Sequence, residues 1–118
     1  MKNTYLQLAQ IITGTVVGIL LSIHMAVMHL DALLGFFGIV NDISWASMIE
    51  RAREGVWAGI YIALLTFGLF HALNGLRNIL LEINLSNTTE RVLTRIIIIA
   101  GVAFFILGTW APLTLLSQ

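Results

Sequence analysis

Phe70-His71-Ala72-Leu73-Asn74-Gly75-Leu76-Arg77-Asn78-Ile79-Leu80-Leu81-Glu82 gathers the chemistry of this chain at the end of an apolar run that begins near Val56. At helical spacing His71 and Gly75 lie one turn apart on one face. Glycine there removes a side chain beside the imidazole, so a broad, flat ligand has room against the backbone. Arg77 follows two residues later, and Glu82 one turn and a residue after that. Polar and ionisable groups this dense are costly at the end of a spanning helix, which makes function the default reading.

Two further histidines, His24 and His29, lie in an earlier apolar segment. Counted at about 1.5 Å per residue, His24 sits about 20 Å from the edge where that segment begins. His71 sits about 10 Å from the same edge of a core about 30 Å thick. A depth difference of roughly 10 Å suits two centres at different heights better than one shared metal. His29 is turned about 140° from His24, so the two cannot face one site; near the interface it can bond water or headgroups. The bland reading of a buried histidine is a structural hydrogen bond. In a membrane helix partners are few and desolvation is costly, so a functional role gains weight. Neutral imidazole is a strong haem-iron ligand, and haem is the flat ligand a His71/Gly75 face would accept. Zinc fits less well, because no second ligand lies at i+3 or i+4 from His71 and no carboxylate lies within the span. Nucleophilic catalysis has no cysteine to use and no convincing Ser–His pair.

The elements that carry these residues follow from composition. The 118 residues are 58% hydrophobic and 10% charged, with a mean hydropathy of +0.95. A soluble domain carries roughly 25% charged residues, so lipid is the main solvent here. Net charge is zero, which gives no case for nucleic acid. The absence of cysteine excludes disulfides, iron–sulfur ligation and thiolate metal sites within the chain. The expected fold class is an all-α membrane protein of one domain over 1–118. It has three transmembrane helices, about 10–31, 56–82 and 94–116, and a short amphipathic interfacial helix about 43–54 between the first and second.

The first apolar segment, Ile11 to Leu30, has the length of one span, about 20 residues. No small-residue cleavage site follows MKNTYLQLAQ, so this helix reads as retained. Gly14 and Gly18 form a small-xxx-small pair of the kind that lets helices approach closely. Phe36 and Phe37 suit an interface. Trp45, Met48, Ile49, Ala52 and Val56 then recur at helical spacing, with Glu50, Arg51, Arg53 and Glu54 forming a solvated face opposite. Asn41, Asp42 and Ser44 supply caps ahead of that pattern. A polar connection over 83–94 precedes the third span. It contains an N-x-T triplet at Asn87 that carries little weight, because the loop is expected on the cytoplasmic side. After Arg95 the third span has no ionisable side chain and is expected to serve packing, with Trp110 and Pro112 near the far interface. Three spans put the termini on opposite sides. Lys2, Arg77, Arg91 and Arg95 on one side against Arg51 and Arg53 on the other favour a cytoplasmic N-terminus and an external C-terminus.

FHALNGLRNILLE, together with DISWASMIERAREGVW before the second span, resembles the small cytochrome b membrane-anchor subunits of succinate dehydrogenase and fumarate reductase, whose signature is H-x-x-x-G-x-[RW] followed by an acidic residue. The resemblance covers nearly the whole chain. It implies that His71 is an axial ligand of haem b and that Gly75 gives clearance to the porphyrin. Two-haem members carry a further first-helix ligand about three turns after a Thr-Gly pair. Thr13-Gly14 precedes His24 at that separation, which makes His24 the candidate for the outer haem and His29 the alternative. Arg77 would bond a haem propionate or serve as a positive-inside anchor. Asn74 would bond haem, quinone or a neighbouring helix. The chain departs from the family at Glu82, often aspartate, at Asn78, histidine in some members, and in having no arginine beside His24.

The resemblance also implies the assembly. A flavoprotein subunit would handle the dicarboxylate, so this chain would be a non-catalytic subunit. An iron–sulfur subunit would dock near Arg77, Glu82 and the 86–91 loop. A second anchor subunit would supply the opposite haem ligands. Electrons would pass through one haem or two to or from a membrane quinone, expected to be menaquinone, in the lipid of a prokaryotic inner membrane. Two other readings compete: a structural anchor of the same complex without haem, and a small transporter or channel subunit. The transporter needs polar residues in several helices, and the third span is nearly bare of them.

Overall fold

A computed structural model describes residues 4–37, 46, 49–50 and 53–118. Its elements are three helices, α1 (Thr4–Phe36), α2 (Gly55–Leu81) and α3 (Asn87–Leu116). All three are long and apolar enough to cross a membrane. In lipid no water pairs with backbone N–H and C=O groups, so each span must bond within itself. The hydroxyls follow the same rule. Thr13, Thr15 and Ser22 donate to the carbonyls of Ala9, Ile11 and Gly18 at 2.7, 3.1 and 2.7 Å, as Thr66 does to Ile62 at 2.7 Å.

The first and third helices are longer than the spans expected for them. α1 starts at Thr4 and runs to Phe36, past 31, because Asp31-Ala-Leu-Leu-Gly-Phe contains no proline to stop it. α2 lies within one residue of the expected 56–82. The amides of Glu82 and Ile83 close it on the carbonyls of Ile79 and Leu80, at 3.2 and 3.4 Å. Asn84 then turns the chain with φ of 22°, a left-handed conformation that asparagine tolerates. α3 begins at Asn87 and not at 94, because Ser86 caps it: its hydroxyl accepts the Thr89 amide at 3.3 Å. Glu90 in that first turn suits the positive end of the helix dipole.

The expected fourth element is also corrected. The described residues build three helices and no separate amphipathic helix over 43–54. Much of that stretch lies outside the described residues; Ala46, Ile49, Glu50 and Arg53 have helical backbone as single positions or a pair. A helix of about three turns is marginal in water by itself, and an amphipathic one is stabilised by an apolar surface to lie on.

α1 and α3 both pack antiparallel against α2 and do not touch each other among the described residues. The result is a row of three helices with α2 in the middle, 58 × 32 × 20 Å overall. The α2–α3 seam is notched. A Cβ at Gly101 would lie 2.8 Å from Leu73 Cδ1, and one at Gly108 would lie 2.6 Å from Leu65 Cδ2. Two leucines of α2 therefore seat in two gaps of α3, one seven residues beyond the other. On α1 the expected glycine pair divides: Gly14 is packed against α2, and Gly18 has nothing within 4 Å.

Polarity runs inside out. Thr13 and Asn74 are 8% exposed while Leu107 and Trp110 are each 70% exposed. In water that distribution would be unstable. In lipid it costs nothing to expose leucine, and polar groups collect where they can bond one another.

Candidate cofactor site at the seam of α1 and α2

Gln10 of α1 and His71 of α2 face each other across the seam. His71 Nδ1 lies 3.1 Å from the Gln10 carbonyl oxygen. That oxygen can only accept, so Nδ1 carries a proton, and in that tautomer of the imidazole the lone pair is on Nε2. Nε2 has no hydrogen-bond partner among the described residues, and the side chain is half-buried. An imidazole fixed in this way presents one basic nitrogen away from the bond that holds it.

The second bond of the pair runs the other way. Gln10 Nε2 donates to the His71 carbonyl at 2.9 Å. Asn74 Nδ2 donates to Gln10 Oε1 at 2.7 Å and reaches the Leu6 carbonyl at 3.5 Å. Each bond needs a glycine one turn further along the other partner's helix. A Cβ at Gly14 would lie 2.8 Å from His71 Cε1, and a Cβ at Gly75 would lie 2.9 Å from Gln10 Nε2. The space at Gly75 is thus taken by the Gln10 carboxamide. The glycine that clears the His71 ring is Gly14.

Arg77 turns toward the other seam. Its Nε donates to Thr94 Oγ1 at 3.0 Å, and its Nη2 lies 3.4 Å from Glu90 Oε1. It joins the end of α2 to the start of α3. Its neighbour Gly75, two residues earlier, packs against α1. His24 is half-buried and His29 exposed. Gly14 touches the His71 ring, and His24 lies ten residues further along α1, which is about 15 Å along the axis. The two histidines therefore stand at separate heights. No three His, Cys, Asp or Glu side chains converge on a metal among the described residues.

Sequence reasoning named His71, Asn74 and Gly75 among the site residues and missed Gln10. A signal for Gln10 was present. Gln10 stands four residues before Gly14, the same spacing as His71 before Gly75. A carboxamide so early in an apolar helix needs a partner in lipid.

A family profile described as succinate dehydrogenase/fumarate reductase transmembrane subunit matches residues 2–108. The chain belongs to this family. It is also similar to a protein of Archaeoglobus fulgidus named succinate dehydrogenase hydrophobic membrane anchor subunit, at 30% identity over 103 residues, covering 87% of this chain and 82% of that protein. No solved structure gives a significant match. The three long apolar helices are those of a succinate dehydrogenase/fumarate reductase membrane-anchor subunit, a non-catalytic part of a quinone-linked respiratory complex. Within this anchor subunit the Gln10–His71–Asn74 cluster joins α1 to α2, and Arg77 joins α2 to α3.

Proposed function

We propose that this anchor subunit holds haem b through His71 Nε2 and relays electrons between an iron–sulfur subunit and a membrane quinone. The observation that carries the reading is the direction of the imidazole. Nδ1 is committed to the Gln10 carbonyl, which leaves Nε2 as the free ligating atom. Haem bound there supplies a one-electron station within the membrane. The chain's residues do the rest. The Gln10 carbonyl takes the Nδ1 proton in a hydrogen bond and makes Nε2 the stronger electron donor. Gly14 lets the ring lie close to α1. Asn74 braces Gln10. With one histidine at this level, a second anchor subunit would supply the further protein ligand to the iron, which makes the subunit an obligate heteromer. Arg77 is engaged with Glu90 and Thr94, so in this reading it stitches α2 to α3 and would not hold a haem propionate. His24, about 15 Å further along α1, is the candidate ligand of a second haem, with His29 the alternative.

The cytoplasmic end of the molecule is assigned to the α2–α3 turn, where Arg77, Arg91 and Arg95 gather. The iron–sulfur subunit, bearing the flavoprotein, docks there. Menaquinone is the proposed quinone, in a prokaryotic inner membrane.

Reduced-minus-oxidised absorption of the purified complex tests the reading, with haem counted per complex. The complex should show a b-type band. His71→Leu should remove the haem at this level, and His24→Leu a second one while sparing the first. A complex with no b-type band in the unsubstituted protein would leave a haem-free structural anchor.

A further inference from the structure

The bonds across the α1–α2 seam form a crossed pair with approximate two-fold symmetry. Gln10 donates its side chain to the His71 carbonyl beside Gly75, and His71 turns its side chain to the Gln10 carbonyl beside Gly14. Each residue stands four before its glycine on an antiparallel helix. Gln10-x-x-x-Gly14 and His71-x-x-x-Gly75 are therefore two halves of one clasp. Neither half closes alone, because each side chain binds the backbone that carries the other.

We propose that Gln10 is a positioning residue for His71, and that the clasp sets the length of the Nδ1–H bond and through it the electron donation of Nε2. The inference rests on His71 being the haem ligand. Three observations support it. The Gln10 side chain is one of two side chains in the described residues that reach across from α1 or α2 with a bond shorter than 3 Å, the other being its brace Asn74. The carbonyl that receives the imidazole belongs to the residue whose side chain pins the imidazole's own backbone, so loosening one bond lengthens the other. Asn74, 8% exposed, does not reach the ring; its bonds go to Gln10 and Leu6, which places it as a brace for Gln10. A hydrogen bond from the far nitrogen of a ligating imidazole makes it a stronger donor, which favours the ferric state. A weaker bond should therefore raise the haem's midpoint potential.

The test uses the purified complex. Gln10→Met keeps the side-chain length and removes both bonds to it. Haem per complex should stay at the unsubstituted value, while the midpoint potential moves upward and the low-spin ferric resonance broadens and shifts. Asn74→Leu should move both readings the same way by less. The double variant should show no more than Gln10→Met alone, since both act through one clasp. Unchanged potential and resonance in Gln10→Met with haem retained would overturn the proposal. If Gln10→Met does not assemble, Asn74→Leu is read by the same criterion. Absence of any b-type haem in the unsubstituted complex would instead remove the ligand role of His71, and with it the basis of the clasp's effect.

Discussion

At the scale of single residues, the imidazole of His71 is defined by what its two nitrogens can do. One is held by the Gln10 carbonyl at 3.1 Å; the other has no hydrogen-bond partner among the described residues. Gly14 is the residue that allows this. Gly14→Ala would put a methyl 2.8 Å from Cε1, closer than any relaxed contact, so the ring must swing off its carbonyl. Haem per complex, measured as the pyridine haemochrome, should fall several-fold in that variant. Arg77 gives the contrasting case. Its ion pair with Glu90 is 3.4 Å long, and the Glu90 side chain is 43% exposed, so solvent screening leaves it worth under about 1 kcal/mol. Arg77→Ala should lower the thermal midpoint of the complex slightly and leave the b-type band in place.

At the scale of elements, the two seams use different chemistry. α1 meets α2 through hydrogen bonds, and α2 meets α3 through leucines set in glycine gaps. The second seam is a packing device. Gly108→Leu would drive a side chain into Leu65, whose Cδ2 stands 2.6 Å from the position of a Cβ. Overpacking of this kind costs about 1–3 kcal/mol. The variant complex should unfold at lower temperature in detergent with its haem spectrum unchanged before unfolding. The caps explain the element ends. Ser86 starts α3 early enough for Glu90 and Thr94 to come alongside Arg77, an outcome that a start at 94 would not allow.

At the scale of the whole molecule, a row of three helices leaves its two broad faces without a covering helix among the described residues. Thr13 and Asn74 are inside while large apolar side chains are outside. Lipid satisfies that surface in part, and a second anchor subunit completes the iron's ligands in the proposed function. Expressed without its partners, the chain should insert into membrane yet hold no stoichiometric haem, measured by absorption of the extracted protein. Reporter fusions to the two ends should read opposite sides of the membrane, with the N-terminal one inside. The same side for both would mean that one of the three helices does not span.

Much of this was legible in the linear chain. Long apolar runs with few charges gave three spans, because a lipid-facing helix needs apolar residues on every side and no tertiary partner to justify them. His71 and Gly75 on one face followed from helical spacing alone. The expected interfacial helix did not follow in the same way: its amphipathic pattern describes a relation to the bilayer surface and not to another part of the chain. What only the tertiary structure decided was which neighbour fills each gap. Periodicity fixes a residue's direction around its own helix and says nothing of the register of the next. The antiparallel offset that sets Gln10 opposite His71 therefore appeared only on folding. It gave the space at Gly75 to a carboxamide, the space at Gly14 to the imidazole, and Arg77 to α3.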